Sequence, residues 1–155
     1  MMYRKLVGIT LLLLAGCSVS PPQPESQQGF DLEPAAADQP QIHPSPQTSK
    51  AALALLAKAR DAANQGQLSV AEAQLERALR IEPQNAVLWH YMAKLRLHQG
   101  QLSQAAGLAA KSNSLDQGNL ELQADNWRII AHARYQKGDK PGAQAAQRRA
   151  EELLE

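Results

Sequence analysis

The chain has 155 residues, with 16 Lys and Arg, 15 Asp and Glu, and a formal net charge of +1. So even a balance lacks the dense basic footprint of a nucleic-acid binder. A single cysteine excludes any disulfide within the chain, so the folded part has to stand on packing alone.

Two cations, Arg4 and Lys5, precede a short apolar run over residues 7–14, and small residues lead into the lone cysteine, Cys17. A charged start, a brief apolar stretch and a small-residue cleavage site predict a secretory signal peptide over residues 1–16. The apolar run is far below the roughly 20 residues that span a bilayer. The segment Leu14-Ala15-Gly16-Cys17 resembles the lipobox of bacterial lipoproteins. That resemblance implies that Cys17 becomes the first mature residue, carries lipid and tethers the chain to a membrane. Ser18 after the cysteine resembles the pattern for sorting to the outer membrane, facing the periplasm.

Residues 18–49 hold seven of the nine prolines and abundant Gln, Ser and Ala, with Val19, Phe30, Leu32 and Ile42 as the only large apolar residues. Such a stretch buries too little apolar surface to offset its ordering entropy, so a disordered tether is predicted over residues 17–49. Stretched as polyproline it would reach about 100 Å, at about 3.1 Å per residue. Four acids fall within it, leaving residues 50–155 with 14 cations against 11 anions.

From residue 50 onward the chain reads as helix. Residues 50–64 place Ala52, Leu55, Leu56, Ala59, Ala62 and Ala63 on one helical face, and residues 67–81 do the same with Leu68, Ala71, Leu75, Ala78 and Leu79. Pro83 ends the second helix and Asn85 is a good N-cap for the next. A longer period overlies this one: Ala59, Gly66 and Ala71 recur 34 residues later as Ala93, Gly100 and Ala105. That interval and its small-residue pattern resemble the tetratricopeptide repeat, a helix–turn–helix unit. The resemblance implies an all-α, short superhelix of three units, at about 52–85, 86–119 and 124–155. Trp89 and Trp127 are then expected to fill the grooves between neighbouring helices. They lie 38 residues apart, so four extra residues should lengthen the front of the third unit. Ser112, Gln117 and Gly107 depart from the repeat pattern and predict a soft junction between units two and three.

Chemistry-bearing constellations are scarce. His90 and His98 stand eight apart, which is not the spacing of a helical metal pair. No phosphate loop, nucleophile elbow or spare cysteine is present, and neither an enzyme, a cofactor nor a metal site is expected. The repeat resemblance instead points to the inner face of the first helix in each unit. Carried onto this chain, that face includes Arg60 and Asn64, then His90, Lys94 and His98, then Arg128, His132 and Tyr135, with Leu56, Val87 and Asp125 among the other inner positions. The expectation is a basic, partly aromatic groove for an acidic or mixed segment of a protein partner, growing more cationic as pH falls. Leu56 and Arg60 depart from the carboxylate clamp of chaperone-binding repeats.

A small repeat domain on a Pro/Gln-rich tether resembles the pseudomonad lipoprotein activator of a class A penicillin-binding protein. That resemblance implies a partner that is an inner-membrane peptidoglycan synthase, reached across the cell wall by the tether. The alternative is a pilotin-like adaptor for a secretin or type IV pilus component. The oligomeric state stays open.

Overall fold

A computed structural model describes residues 42–116 and 118–155. The expected signal peptide, Cys17 and most of the expected tether lie outside the described residues. Six helices follow one another: α1 Lys50–Asn64, α2 Leu68–Ile81, α3 Ala86–His98, α4 Leu102–Leu115, α5 Leu120–Gln136 and α6 Lys140–Glu152. They pack as three consecutive pairs, α1 with α2, α3 with α4 and α5 with α6; α2 also meets α3, α4 meets α5, and α3 touches α5. The described residues are all-α, built of three helix–turn–helix units.

Each reversal uses one device. Gly66, Gly100 and Gly138 follow α1, α3 and α5 with φ of 73°, 71° and 84°, a left-handed conformation that costs glycine no steric penalty. The next residue then bonds back across the turn: Gln67 N–H to Ala62 O at 2.8 Å, Gln101 N–H to Arg96 O at 2.9 Å, Asp139 N–H to Arg134 O at 3.0 Å. These bonds satisfy carbonyls that the helix end leaves open. At the other end Ser49, Asn85 and Asn119 cap α1, α3 and α5 with their side chains, meeting the free amides of the first turn. Alanines make the close approach within pairs possible. Ala52, Ala78, Ala93, Ala105, Ala109, Ala131, Ala143 and Ala150 are all at 0 % exposure.

The four extra residues between units appear where expected, as a longer α5 of 17 residues against 13 in α3. Two expectations need correction. Trp89 and Trp127 are only half-buried, and the Trp89 indole N–H donates to Pro83 O at 2.8 Å. The largest fully buried side chains are Leu88, Leu122, His90, Asn126 and Ser112. A bulky indole at the edge of a helix pair can keep its N–H at a turn carbonyl while leucines fill the interior.

The tether also ends earlier than its composition suggests. Residues 42–49 are docked as a strap across the starts of the helices. Ile42 is 3 % exposed and joins the cluster of Leu56, Leu75, Leu88, Met92 and Leu122. Thr48 Oγ1 accepts from the Asn85 amide at 3.1 Å, and Ser49 N–H donates to Glu82 Oε1 at 2.7 Å. Burial works against the Glu82 charge, but the hydrogen bonds from Ser49 and Asn85 outweigh it and hold the carboxyl below its ordinary value. One isoleucine and two capping residues thus order a segment that proline content alone would leave loose.

Candidate functional site on the inner face

α1, α3 and α5 share a face that carries the predicted groove residues, and exposure along it follows a gradient. Near the helix starts, Leu56, Val87, His90 and Asp125 are buried at 3 %, 6 %, 1 % and 8 %. Midway, Arg60, Lys94 and Arg128 are half-buried. Towards the helix ends Asn64, His98 and Tyr135 are exposed, with His132 half-buried between them.

The middle of the face is organised around one carboxylate. Asp125 Oδ2 lies 3.3 Å from His90 Nε2 and 3.9 Å from Lys94 Nζ, while its Oδ1 lies 3.8 Å from Arg128 Nη1. Beside this cluster the Arg60 guanidinium sits 5.6 Å from the centre of the Tyr91 ring, within range of a cation–π contact. Three fixed cations therefore face a single carboxylate among these residues, and the surplus charge suits an anionic segment. Tyr91 donates its hydroxyl to Ile42 O at 3.2 Å. Burial pushes its phenol up, with Asp125 adding to the effect and Arg60 opposing it, so the hydroxyl stays a donor.

His90 is not part of an open groove, which corrects its expected role as a contact residue. It belongs to a buried relay whose donors can be assigned from one end. Ser112 Oγ donates to the Ala86 carbonyl at 2.8 Å. Having spent its proton there, it accepts from Asn126 Nδ2 at 2.8 Å, and that amide also reaches Asn113 Oδ1 at 2.8 Å. Asn126 Oδ1 then faces His90 Nδ1 at 2.8 Å, which fixes the proton on Nδ1 and leaves Nε2 towards Asp125. Burial pulls the imidazole below its ordinary value; Asp125 and Asn126 pull the other way and Lys94 adds to the lowering.

The relay joins α3, α4 and α5 at the junction where the repeat pattern breaks. Ser112, at 0 % exposure, is a bonded centre of that junction rather than a defect in it. The relay was missed in the sequence because Asn126 and Ser112 look like ordinary helix residues. The only local signal was a polar residue at each of two positions inside an apolar helical stripe.

At the far end His132 pairs with Gln136. Partial burial lowers its affinity for protons, and nearby His98 lowers it further. His132 therefore gains its charge later on acidification than a free histidine would.

Paired helices with left-handed glycine turns, alanine contacts and a shared inner face define a tetratricopeptide-repeat domain. A tetratricopeptide repeat family profile matches residues 75–106. No curated protein matches the chain. Among solved structures, the globular C-terminal domain of P. aeruginosa LpoP is 38 % identical, over 68 % of this chain and 99 % of that one, with a TM-score of 0.65. With that identity and coverage, the chain belongs to the family of tetratricopeptide-repeat proteins that includes the LpoP domain.

Proposed function

We propose that this chain is an outer-membrane lipoprotein, held by lipid on Cys17 and facing the periplasm. Its repeat domain binds and stimulates a class A penicillin-binding protein. The observation that carries the reading is the match to the LpoP domain along nearly all of that domain's length. The lipobox-like Leu14-Ala15-Gly16-Cys17 and the proline-rich stretch behind it supply the anchor and the reach that such a role requires. The chain acts by binding, with no catalytic step and no cofactor of its own. Arg60, Lys94 and Arg128 meet an acidic segment of the synthase, with His98, His132 and Tyr135 at the open end of the groove.

Two measurements test this. Wild-type chain should label with radioactive palmitate and Cys17→Ser should not; absence of label from wild type removes the anchor. Purified chain should raise the glycan-polymerising rate of the cognate class A synthase. A synthase that neither binds nor responds removes the function.

A further inference from the structure

The half of the inner face nearest the helix starts is closed by the chain itself. Ile42 is buried at 3 % among Leu56 of α1, Val87 and Leu88 of α3 and Leu122 of α5. Its carbonyl accepts the Tyr91 hydroxyl at 3.2 Å, and the Tyr91 ring carries Arg60. The strap has no helix or strand and closes on itself in a turn, Thr48 N–H to Ser45 O at 2.9 Å; with an aliphatic side chain inserted and its backbone held by a groove side chain, it is bound as a peptide ligand would be.

The two ends of this strap are held unequally. At residues 48–49 two polar contacts fix it, Asn85 to Thr48 and Ser49 to Glu82, and Asn85 in turn bonds Glu82. At the outer end there is one isoleucine and one hydrogen bond. Between them His43, Ser45, Pro46 and Gln47 are exposed, and His43, Ser45 and Gln47 line a cavity together with Val87, Leu115 and Leu122. One buried aliphatic group and one hydrogen bond are of the same order as the ordering entropy of a few residues. The outer end is therefore the part that releases at small cost, with residues 48–49 as the hinge.

We propose that residues 42–48 are a resident occupant of the inner groove, displaced by a partner segment that carries an aliphatic residue for the Ile42 slot and bears acidic groups for Arg60, Lys94 and Arg128. Because the occupant is part of the chain, its effective concentration is high and it screens out weak ligands. The identity of the partner rests on the function proposed above; the occupancy of the groove does not.

The test uses the full-length chain in detergent with Ile42→Asp, which empties the slot. The Thr48 amide, bonded to Ser45 O, should lose hydrogen-exchange protection while circular dichroism stays helical. A fluorescent synthetic peptide of residues 40–49 should then bind the variant at least about tenfold more tightly than wild type, a hydrogen bond and an aliphatic side chain being worth that much or more. Equal peptide binding to both proteins, or none to either, overturns the proposal. If Ile42→Asp melts, Ile42→Ala replaces it, with the same ordering expected at about fivefold. In a second arm the class A synthase should bind Ile42→Asp more tightly than wild type, and unchanged affinity overturns the displacement. A synthase that binds neither protein defeats the functional reading alone, since the peptide arm still decides who occupies the groove.

Discussion

Where the first helix pair meets the second, the contact is aliphatic, made by Leu75 and Leu79 of α2 with Leu88 and Met92 of α3. Where the second meets the third, the centre is polar, a relay from Ala86 through Ser112 and Asn126 to His90. Aliphatic contact is non-directional and tolerates small slides, so the first seam takes its register from the regular 34-residue spacing and from shape. Hydrogen bonds are directional and costly to leave unmade. The second seam carries four extra residues, and there the polar relay accepts one alignment of α3, α4 and α5. A spacing irregularity is thus compatible with a single structure when directional bonds stand at the seam.

Removing the relay should have the largest effect. Asn126→Leu leaves the His90 Nδ1–H and Asn113 Oδ1 without this partner, at about 1–3 kcal/mol each, and takes one of the two bonds of Ser112. A loss of about 3–5 kcal/mol in denaturant melts is expected, and an unchanged midpoint would show that the second seam does not depend on its bonds. Leu88→Ala, at the first seam, should cost about 3 kcal/mol, within the usual range for a buried leucine. A cost well below 1 kcal/mol would mean that the aliphatic seam repacks freely.

Trp89→Ala and Trp127→Ala should each cost about 1.5–2.5 kcal/mol, roughly half the figure for a fully buried indole. Losses as large as those of the relay variant would place the indoles in the core after all.

Acidification distinguishes the seams by charge. Folding lowers the proton affinity of both His90 and His132, so the unfolded chain takes up protons first. Stability is then full above about pH 6.5 and falls as pH drops through that value towards the lowered folded ones. Carboxylates such as Glu72, held low by hydrogen bonds from Arg96 and Gln99, give up their contribution only at more acid pH. Thermal midpoints at pH 7.5 and 5.5 therefore read the histidines, and a His90→Gln chain should show a smaller difference than wild type. Equal differences in the two chains would remove His90 as the source.

The smallest effect is a gain. Gly107 lies on an exposed part of α4, and a Cβ there would meet nothing within 4 Å. Gly107→Ala should stabilise the chain by about 0.5–1 kcal/mol. A loss instead would show that the space above Gly107 is needed.

The middle cations join the comparison. As plain groove residues, Lys94 and Arg128 would affect a partner and not the fold. Asp125 changes that, because both stand near a carboxylate that is largely buried, and reversing their charge would set anions against it. Arg60, resting on Tyr91, remains the cleanest probe of binding.

Much of the fold was legible in the sequence, since its determinants are local. The three-and-four spacing gives the helices, as for Lys50–Asn64; Asn85 caps α3; and Gly66, Gly100 and Gly138 set the reversals. Each depends on interactions within a few residues, and a repeat multiplies the signal. Burial across helices is a different matter. His90 and Lys94 are both polar residues on the same helix face, yet one is enclosed and the other half-open. Ile42 looks like one apolar residue in a loose stretch until Leu56, Leu88 and Leu122 converge to receive it. The sequence by itself determined three helix pairs, the Asn85 cap and the glycine turns. Only the tertiary structure decided that a histidine lies inside, that the tryptophans lie at the edge and that the tether's last residues belong to the fold, because enclosure depends on what distant segments place over a side chain.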